Sequence, residues 1–210
     1  MSLKPIRFSR IDDTNRDSHT RLTDDDVCLF LYEKTSGRDY TFSATNNLVS
    51  NLKKPVTSNP TVLGYKNRAI QECAAAFRQA LNPRWLANAT LVPVPPSKAL
   101  NDPAYDNRME RICRLVVQGQ DVRNLVVQNS TMVANHARGS DERVTVEELL
   151  AAYSIDESLA NPEPSSIGIV DDMLTAGTHY RAMHTILINR FPDANIIGLF
   201  VARRIFPDDD

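Results

Sequence analysis

Cysteine is scarce in this sequence, and the three that occur, Cys28, Cys73 and Cys113, include no Cys-x-x-Cys pair. Their odd number and wide spacing argue against a disulfide framework, a metal site or a redox site. Cys73 and Cys113 also fall on the apolar faces of predicted helices, where a reduced thiol packs as a small apolar group. We therefore expect buried, reduced, structural thiols in a cytoplasmic protein.

Long apolar runs and an excess of charge of one sign are also absent. The longest apolar stretches, such as the one at 196–202, are too short to cross a bilayer, and the first residues, MSLKPIRFSR, lack the apolar core of a signal peptide. We therefore expect no membrane partner. The formal net charge is −2 at pH 7. This balance gives no general attraction to nucleic acid, which is not an expected partner, and any anion site has to be local.

The common catalytic and metal-binding patterns are missing as well. His179 and His184 lie five residues apart on a predicted helix, about 140° around its axis, so they do not easily share a metal ion. No Gly-Lys pair precedes a Ser or Thr, which excludes a Walker A loop. No Ser or Thr has an evident His partner, so the sequence predicts no nucleophilic triad.

What the sequence does contain is an alternation of apolar strands and amphipathic helices, in a chain of 210 residues with 42% hydrophobic side chains. The pattern predicts strands at 89–96, 124–128, 166–170 and 195–204, and helices at 65–81, 107–118, 145–153 and 179–191. Thr145, with Glu148 three residues later, predicts a capping box. Apolar strands that alternate with helices indicate α/β, a Rossmann-like parallel sheet flanked by helices.

Composition divides the chain into three segments. Residues 1–26 are polar and are predicted to be a mobile, solvated N-terminal segment. Residues 27–60 are predicted to form a small lobe, in which VCLFLYEKTSGRDYTF makes two short strands joined by a turn at Ser36 and Gly37. Residues 61–210 are predicted to form the α/β core.

One motif carries most of the functional information. The apolar run SIGIV ends in Asp171 and Asp172, and a loop of small residues then enters a predicted helix. These small residues are Thr175, Ala176, Gly177 and Thr178. Ligands of open α/β sheets bind at the carboxyl ends of strands, and the N–H groups of a helix N-terminus attract phosphate. The two acids would repel phosphate but suit the vicinal hydroxyls of a ribose, or a metal ion held through water. A ribose 5-phosphate group satisfies both halves of the motif at once.

The same residues are also compatible with roles that involve no ribose phosphate. A Thr and a Gly can begin a helix for structural reasons alone, and an Asp-Asp pair is often a solvated turn. A response-regulator receiver also places acids at a strand end, but near the start of its domain, whereas only about 38 residues follow this pair.

The whole stretch IGIVDDMLTAGTH, 167–179, resembles the 5-phosphoribosyl 1-diphosphate (PRPP) binding signature of type I phosphoribosyltransferases. It looks most like the orotate phosphoribosyltransferases and the competence-associated ComF-like group. The resemblance implies the type I fold, with residues 27–60 as its N-terminal hood. It also implies Mg²⁺-dependent transfer of ribose 5-phosphate from PRPP to a nitrogen acceptor, with pyrophosphate released. Asp171 and Asp172 would then be catalytic and would meet the metal only indirectly, through ribose hydroxyls or water.

A second loop is placed where this family binds the diphosphate. LVPVPPSK, 91–98, is the end of a predicted strand that runs into a sharp turn at Pro95 and Pro96, followed by Ser97 and Lys98. Pro96, Ser97 and Lys98 are predicted to bind the diphosphate, Ser97 through its hydroxyl and Lys98 through its charge, and Lys98 is a predicted catalytic residue. The alternative is a proline-stiffened loop with a surface lysine. Arg108, at the start of a predicted helix, could reach a phosphate or simply pair with Asp106 or Glu110.

A long polar loop, 130–145, is the predicted lid, and in it Arg138 and Arg143 are candidate diphosphate ligands. It contains no lysine, unlike the orotate pattern, which puts orotate in doubt as the substrate. The acceptor is unidentified, and we expect it near Tyr32, Tyr40 and Asn46 of the small lobe.

Two further functions are compatible with the same fold. One is a non-catalytic sensor that binds PRPP or a nucleotide, since a fold does not fix a function. The other is a nucleotide hydrolase or phosphorylase that uses the same ribose-phosphate pocket. A homodimer is expected by analogy only.

Overall fold

The computed structural model of the chain describes residues 5–129 and 144–207, and its central element is a five-stranded sheet. The strands are β1 (Ser9–Arg10), β2 (Cys28–Thr35), β3 (Thr90–Pro93), β4 (Val126–Gln128), β5 (Tyr153–Ile155), β6 (Ser166–Leu174) and β7 (Asn195–Ile205). The central sheet has the order β1-β2-β7-β6-β3, and only the pairing of β1 with β2 is antiparallel. The predicted α/β class with a mostly parallel sheet is confirmed.

Six α-helices are described in the same residues: α1 (Ala44–Leu52), α2 (Pro60–Ala80), α3 (Pro83–Leu86), α4 (Arg108–Val116), α5 (Val146–Ala152) and α6 (Thr178–Arg190). Their starts follow from local chemistry. The Asn59 side chain caps α2 and Pro60 occupies its first turn, where the missing N–H costs nothing. The predicted capping box of Thr145 and Glu148 is confirmed at α5. Among the described residues, no helix is both long and apolar enough to cross a membrane.

The core consists of two apolar clusters, one on each face of the sheet. Along β7 the side chains alternate between them, with Leu199 and Val201 in one cluster and Phe200 in the other, because successive side chains of a strand point to opposite faces. Residues of α2 and α4 cover the first face, and residues of α5 and α6 cover the second. The predicted burial of the sheet on both faces is therefore confirmed.

The predicted strand at 124–128 does not join the central sheet. Its residues form β4, which pairs antiparallel with β5 in a separate two-stranded sheet. Just before β4, the chain meets the edge of the central sheet through an isolated parallel bridge between Val122 and Leu91. An apolar run specifies a buried strand but not its partner, which is why the sequence did not separate the two sheets.

The prediction of two short strands within 27–60 is wrong. Cys28–Thr35 forms the single strand β2, which pairs in parallel with β7 and is thus part of the central sheet. The expected turn is present, with Gly37 at φ +72°. After it, Thr41 hydrogen-bonds the Asp39 carboxylate, and the chain enters α1 instead of returning as a strand. The division of the chain into a lobe and a core stays a prediction.

The polar N-terminal segment also differs from expectation, because it packs on the core over its described part. Ile11 is 2% exposed and lies in one of the apolar clusters. His19 is fully buried, with Nδ1 against the carbonyl of Thr175, and Asp26 pairs with Arg181. A polar composition concealed a few specific contacts that fix this segment.

We predict that Ile11→Ala lowers the free energy of unfolding by about 2–4 kcal/mol, because it leaves a cavity in a packed core. The matched control is Leu100→Ala, since Leu100 is 80% exposed, and it should change stability by less than about 0.5 kcal/mol. Urea denaturation of both variants is the measurement. Equal effects would mean that the N-terminal segment is a solvated tail.

Candidate functional site

A cavity of about 360 Å³ opens at the carboxyl ends of β3 and β6. These strands are parallel neighbours, with Pro93 opposite Val170, so the segments that leave them emerge side by side. The predicted site residues that line the cavity are Pro96, Ser97, Lys98, Arg108, Asp171, Asp172 and Thr175. The two loops that the sequence motifs singled out therefore meet at one cavity.

Three residues of the small-residue loop do not line this cavity. Ala176, Gly177 and Thr178 form the turn into α6, and the Ala176 carbonyl accepts a hydrogen bond of 2.8 Å from the amide of Arg21. Gly177 has φ +91°, and a Cβ added to it would lie 3.0 Å from Leu22. Glycine is required there by both the left-handed backbone and the N-terminal segment packed on it.

Arg138 and Arg143, the predicted lid residues, lie outside the described residues.

Asp171 and Asp172 do not follow a strand end, as expected, but belong to β6, which continues to Leu174. Successive side chains of a strand diverge, so the two carboxylates have different surroundings. Asp172 is 3% exposed, whereas Asp171 is half-buried and accepts a hydrogen bond of 2.7 Å from the Asp172 amide through Oδ1. The two acids are therefore not an equivalent pair.

Both oxygens of Asp172 are already engaged by cations. Arg108 donates to Oδ2 from Nε at 3.0 Å and from Nη2 at 2.7 Å, and the Nζ of Lys53 lies 3.1 Å from Oδ1. Burial acts to raise the pKa of Asp172, but Lys53 and Arg108 outweigh it and hold that pKa below its usual range. For Asp171, burial and then the negative charge of Asp172 raise the pKa.

The ion pair extends into a chain of alternating charges. Arg108 Nη1 lies 2.8 Å from Asp106 Oδ2, and the same oxygen accepts from Lys66 Nζ at 2.7 Å. Of the alternatives for Arg108, pairing with Asp106 is present in the structure, and its role as a phosphate ligand stays a prediction. Glu110, the other proposed partner, pairs with Arg114 instead. From Lys66 to Lys53, the five side chains of this charge network connect α2, α4, β6 and the end of α1.

Sequence reasoning missed several residues of the site. Lys53 lies just after α1 and lines the cavity. His179, which the sequence places next to the small-residue loop, also lines the cavity, and its Nδ1 lies 3.0 Å from the Tyr153 hydroxyl. Burial lowers the pKa of His179. Lys66, at 2% exposure, lies one helical turn before Ile70 on the apolar face of α2. The position of Lys66 on the apolar face of α2 was a sequence signal for a buried charge network. No comparable signal in the sequence marked Lys53.

We predict opposite stability effects for the two acids. Asp172→Asn should lower the free energy of unfolding by about 2–3 kcal/mol, because it removes the negative charge that Lys53 and Arg108 share. Arg108 keeps its contact with Asp106, and both cations partly reach solvent, which keeps the loss below that of a fully buried pair. Asp171→Asn keeps the hydrogen-bond acceptor and removes a charge that the fold disfavours, so it should raise stability by about 1 kcal/mol at pH 8.

The gain from Asp171→Asn should disappear as the pH falls. A carboxyl with a raised pKa in the folded state costs stability above that pKa and costs nothing where it is protonated in both states. Urea denaturation of the two variants and the parent chain, between pH 8 and pH 4, is the measurement. Equal losses in both variants at pH 8 would contradict the asymmetry.

No protein-family model matches this chain, and no curated protein is similar enough in sequence to be recognised as a relative. The family resemblance therefore depends on residues 167–179 and the loop at 91–98, and the function has to be argued from the chemistry of the site.

Proposed function

We propose that this chain binds Mg-PRPP in the cavity between the β3 and β6 loops and transfers ribose 5-phosphate to a nitrogen acceptor, with release of pyrophosphate. The observation that carries the proposal is the convergence of three features on one cavity. These are the half-buried carboxylate of Asp171, Thr175 at the start of the turn into α6, and the Ser97–Lys98 loop. Each matches one part of PRPP: the ribose hydroxyls, the 5-phosphate and the diphosphate.

The 5-phosphate is expected at the turn of residues 175–178. The first N–H groups of a helix have no partner within the helix, and they carry its positive dipole end. At α6 the N-cap residue is Gly177, which has no side chain with which to cap those groups. Thr175 is exposed and lines the cavity next to this turn. Such a helix start is suited to a phosphate dianion.

The ribose hydroxyls are expected at Asp171 rather than at both acids. Asp171 Oδ1 accepts the Asp172 amide, and Oδ2 has no hydrogen-bond partner among the described residues. Asp172 instead holds Arg108 and Lys53 at the cavity wall. The roles differ: Asp171 contacts the sugar, and Asp172 orients two cations.

The diphosphate is expected near Lys98, Lys53 and Ser97. Lys98 lines the cavity and has no ion pair with any described residue, and its loop is braced by a hydrogen bond of 2.8 Å from Gln128 Nε2 to the Ser97 carbonyl. Lysines bind phosphate as point charges, with little demand on geometry.

Mg²⁺ suits this site only as an ion held mainly by its substrate. No group of three or more His, Cys, Asp or Glu side chains in residues 5–129 and 144–207 could bind a metal ion. Since the oxygens of Asp172 already contact Lys53 and Arg108, Asp171 is the one acid of the pair able to approach the ion, through water or the ribose hydroxyls. A bound Mg²⁺ would neutralise the negative charge of the leaving diphosphate.

Transfer of ribose 5-phosphate then requires mainly that PRPP be held at both its 5-phosphate and its diphosphate. The bond between the anomeric carbon and the diphosphate oxygen breaks, the diphosphate keeps the electron pair, and the acceptor nitrogen bonds to the carbon. Residues 175–178 fix the phosphate, Asp171 fixes the ring, and Lys98 with Lys53 attracts the leaving group. Positioning of this kind contributes several kcal/mol to catalysis as a general scale.

A non-catalytic PRPP or nucleotide sensor is the second candidate function. The observation that favours it is the state of Asp172, whose two oxygens are occupied by Arg108 and Lys53. Only one acid of the motif is then open to the sugar, an arrangement that can support binding without efficient transfer.

We predict that Asp171→Asn weakens Mg-PRPP binding at least about tenfold, because a neutral amide accepts hydrogen bonds from a diol less strongly than a carboxylate does. Asp193→Asn, an exposed position outside the cavity, is the matched control and should leave affinity unchanged. Isothermal titration of both variants is the measurement. Because Asp171→Asn should not destabilise the fold, its effect cannot be ascribed to unfolding, and unchanged affinity would refute the site.

A second prediction separates the enzyme from the sensor. With Mg-PRPP and a panel of nucleobases and other nitrogen acceptors, the parent chain should release pyrophosphate, and Lys98→Ala should reduce the rate at least about tenfold by removing a charge from the leaving group. A coupled pyrophosphate assay measures it. Tight PRPP binding without release from any acceptor would support the sensor instead.

A further inference from the structure

A second cavity, of about 670 Å³, lies between α1 and α2 and shares no lining residue with the first. Its volume falls within the range of roughly 300–1,000 Å³ that is typical of small-molecule sites. We call this cavity the α1–α2 groove. Its lining includes the aromatic, amide and basic side chains of Tyr40, Asn47, Asn51, Lys54, Tyr65 and Arg68. The proposed contacts with PRPP use none of them, although the acceptor was expected near Tyr40.

Two aromatic rings border the groove without being covered. Tyr40 is 58% exposed and Tyr65 is 49% exposed. Tyr65 belongs to α2, so its ring is carried by a regular helix, and the ammonium of Lys54 lies 6.0 Å from its centroid. Exposed tyrosine faces are stacking platforms for planar rings, and the ammonium over one face of Tyr65 leaves the opposite face for a base.

Two amides on α1 offer a hydrogen-bonding edge. Asn51 Nδ2 donates to Asn47 Oδ1 at 2.8 Å, which fixes the two side chains relative to each other. Each amide keeps one unused group: Asn47 retains its NH₂ donor and Asn51 its oxygen acceptor. If the oxygen and nitrogen of both side-chain amides were exchanged, the pair would still present one hydrogen-bond donor and one acceptor. An adjacent donor and acceptor match the edge of a heterocyclic base.

The charge in the groove favours an anion. Neither Lys54 nor Arg68 forms an ion pair with a described residue, and Glu72 is the one acidic side chain of the lining. The charged lining residues therefore sum to one net positive charge, against a formal net charge of −2 for the whole chain. A single phosphate group suits this local excess, and the overall negative charge disfavours a long polyanion.

We infer that the α1–α2 groove is a binding site for a mononucleotide. Its base stacks on Tyr65, the base edge meets Asn47 and Asn51, and the phosphate lies between Lys54 and Arg68. The site is separate from the PRPP cavity, yet consecutive residues at the end of α1 serve the two, since Lys53 lines the first cavity and Lys54 the second.

The test is isothermal titration of AMP, UMP and ribose 5-phosphate into the full chain carrying Asp171→Asn, which weakens ligand binding in the first cavity. In this background Tyr65→Ala should weaken AMP binding at least about tenfold, the usual scale for one lost base–aromatic stack. Tyr65→Phe keeps the ring and is the matched control, with a change of less than about twofold. Arg68→Gln should weaken AMP but leave adenosine binding unchanged.

Three results would overturn the inference. One is the absence of binding by either mononucleotide at millimolar concentration. Another is AMP binding that Tyr65→Ala leaves intact, which would place the nucleotide elsewhere. The third is a ten-nucleotide single strand that binds far more tightly than AMP through Tyr65, which would make the ligand a nucleic acid. PRPP binding by the parent chain is measured separately, so this inference and the proposed transfer can fail independently.

Discussion

The carboxylate of Asp172 is the contact on which the geometry of the site depends. Its two oxygens meet Lys53 from the end of α1 and Arg108 from the start of α4, while its backbone belongs to β6. A carboxylate that is 3% exposed is tolerable only because cations replace the water that it loses. Buried ion pairs add little net stability over apolar packing, but loss of one partner is costly. The contacts of Asp172 therefore fix the positions of α1, α4 and β6 around one cavity.

This constraint separates two neighbouring acids that look alike in sequence. Burial, and then the full negative charge of Asp172 beside it, raises the pKa of Asp171, while Lys53 and Arg108 lower the pKa of Asp172. Paired titratable groups whose surroundings move their pKa values apart commonly divide their tasks. Here the division follows from the strand itself, since β6 continues through both residues and turns their side chains to different surroundings. In the proposed function, a motif with two acids that look equivalent in sequence therefore supplies one ligand, Asp171, and one anchor, Asp172.

The parts of the fold that could be predicted from sequence are those with a local signal. Continuous apolar runs predicted β6 and β7, helical periodicity predicted α2 and α6, and the Thr145 capping box predicted the start of α5. Pairing partners have no such signal, which is why the antiparallel β4–β5 sheet and the position of β2 were missed.

The residues of the site also divide into those that have a local sequence signal and those that do not. The loops at 91–98 and 171–175 were predicted because ligands of parallel sheets lie at the carboxyl ends of strands, and the structure brings both to one cavity. The contact of Lys53 with Asp172 joins distant parts of the chain and depends on tertiary packing alone. The N-terminal segment was misjudged for a related reason: its average polarity concealed Ile11 and His19, both buried.

Lys66 fixes the backbone at the end of α1, where Lys53 lines one cavity and Lys54 the other. Its ammonium has three donors, and they meet the carbonyls of Leu52 and Lys54 and the carboxylate of Asp106 at 2.7, 2.9 and 2.7 Å. Burial lowers the pKa of Lys66, and the contact with Asp106 opposes that shift. A fully satisfied ammonium beneath a helix end fixes the backbone on either side of Lys53. The two lysines that follow α1 thus extend from a fixed backbone, one toward each cavity. For the ligands that we propose in these cavities, a backbone fixed before binding lowers the entropy lost when the ligand binds.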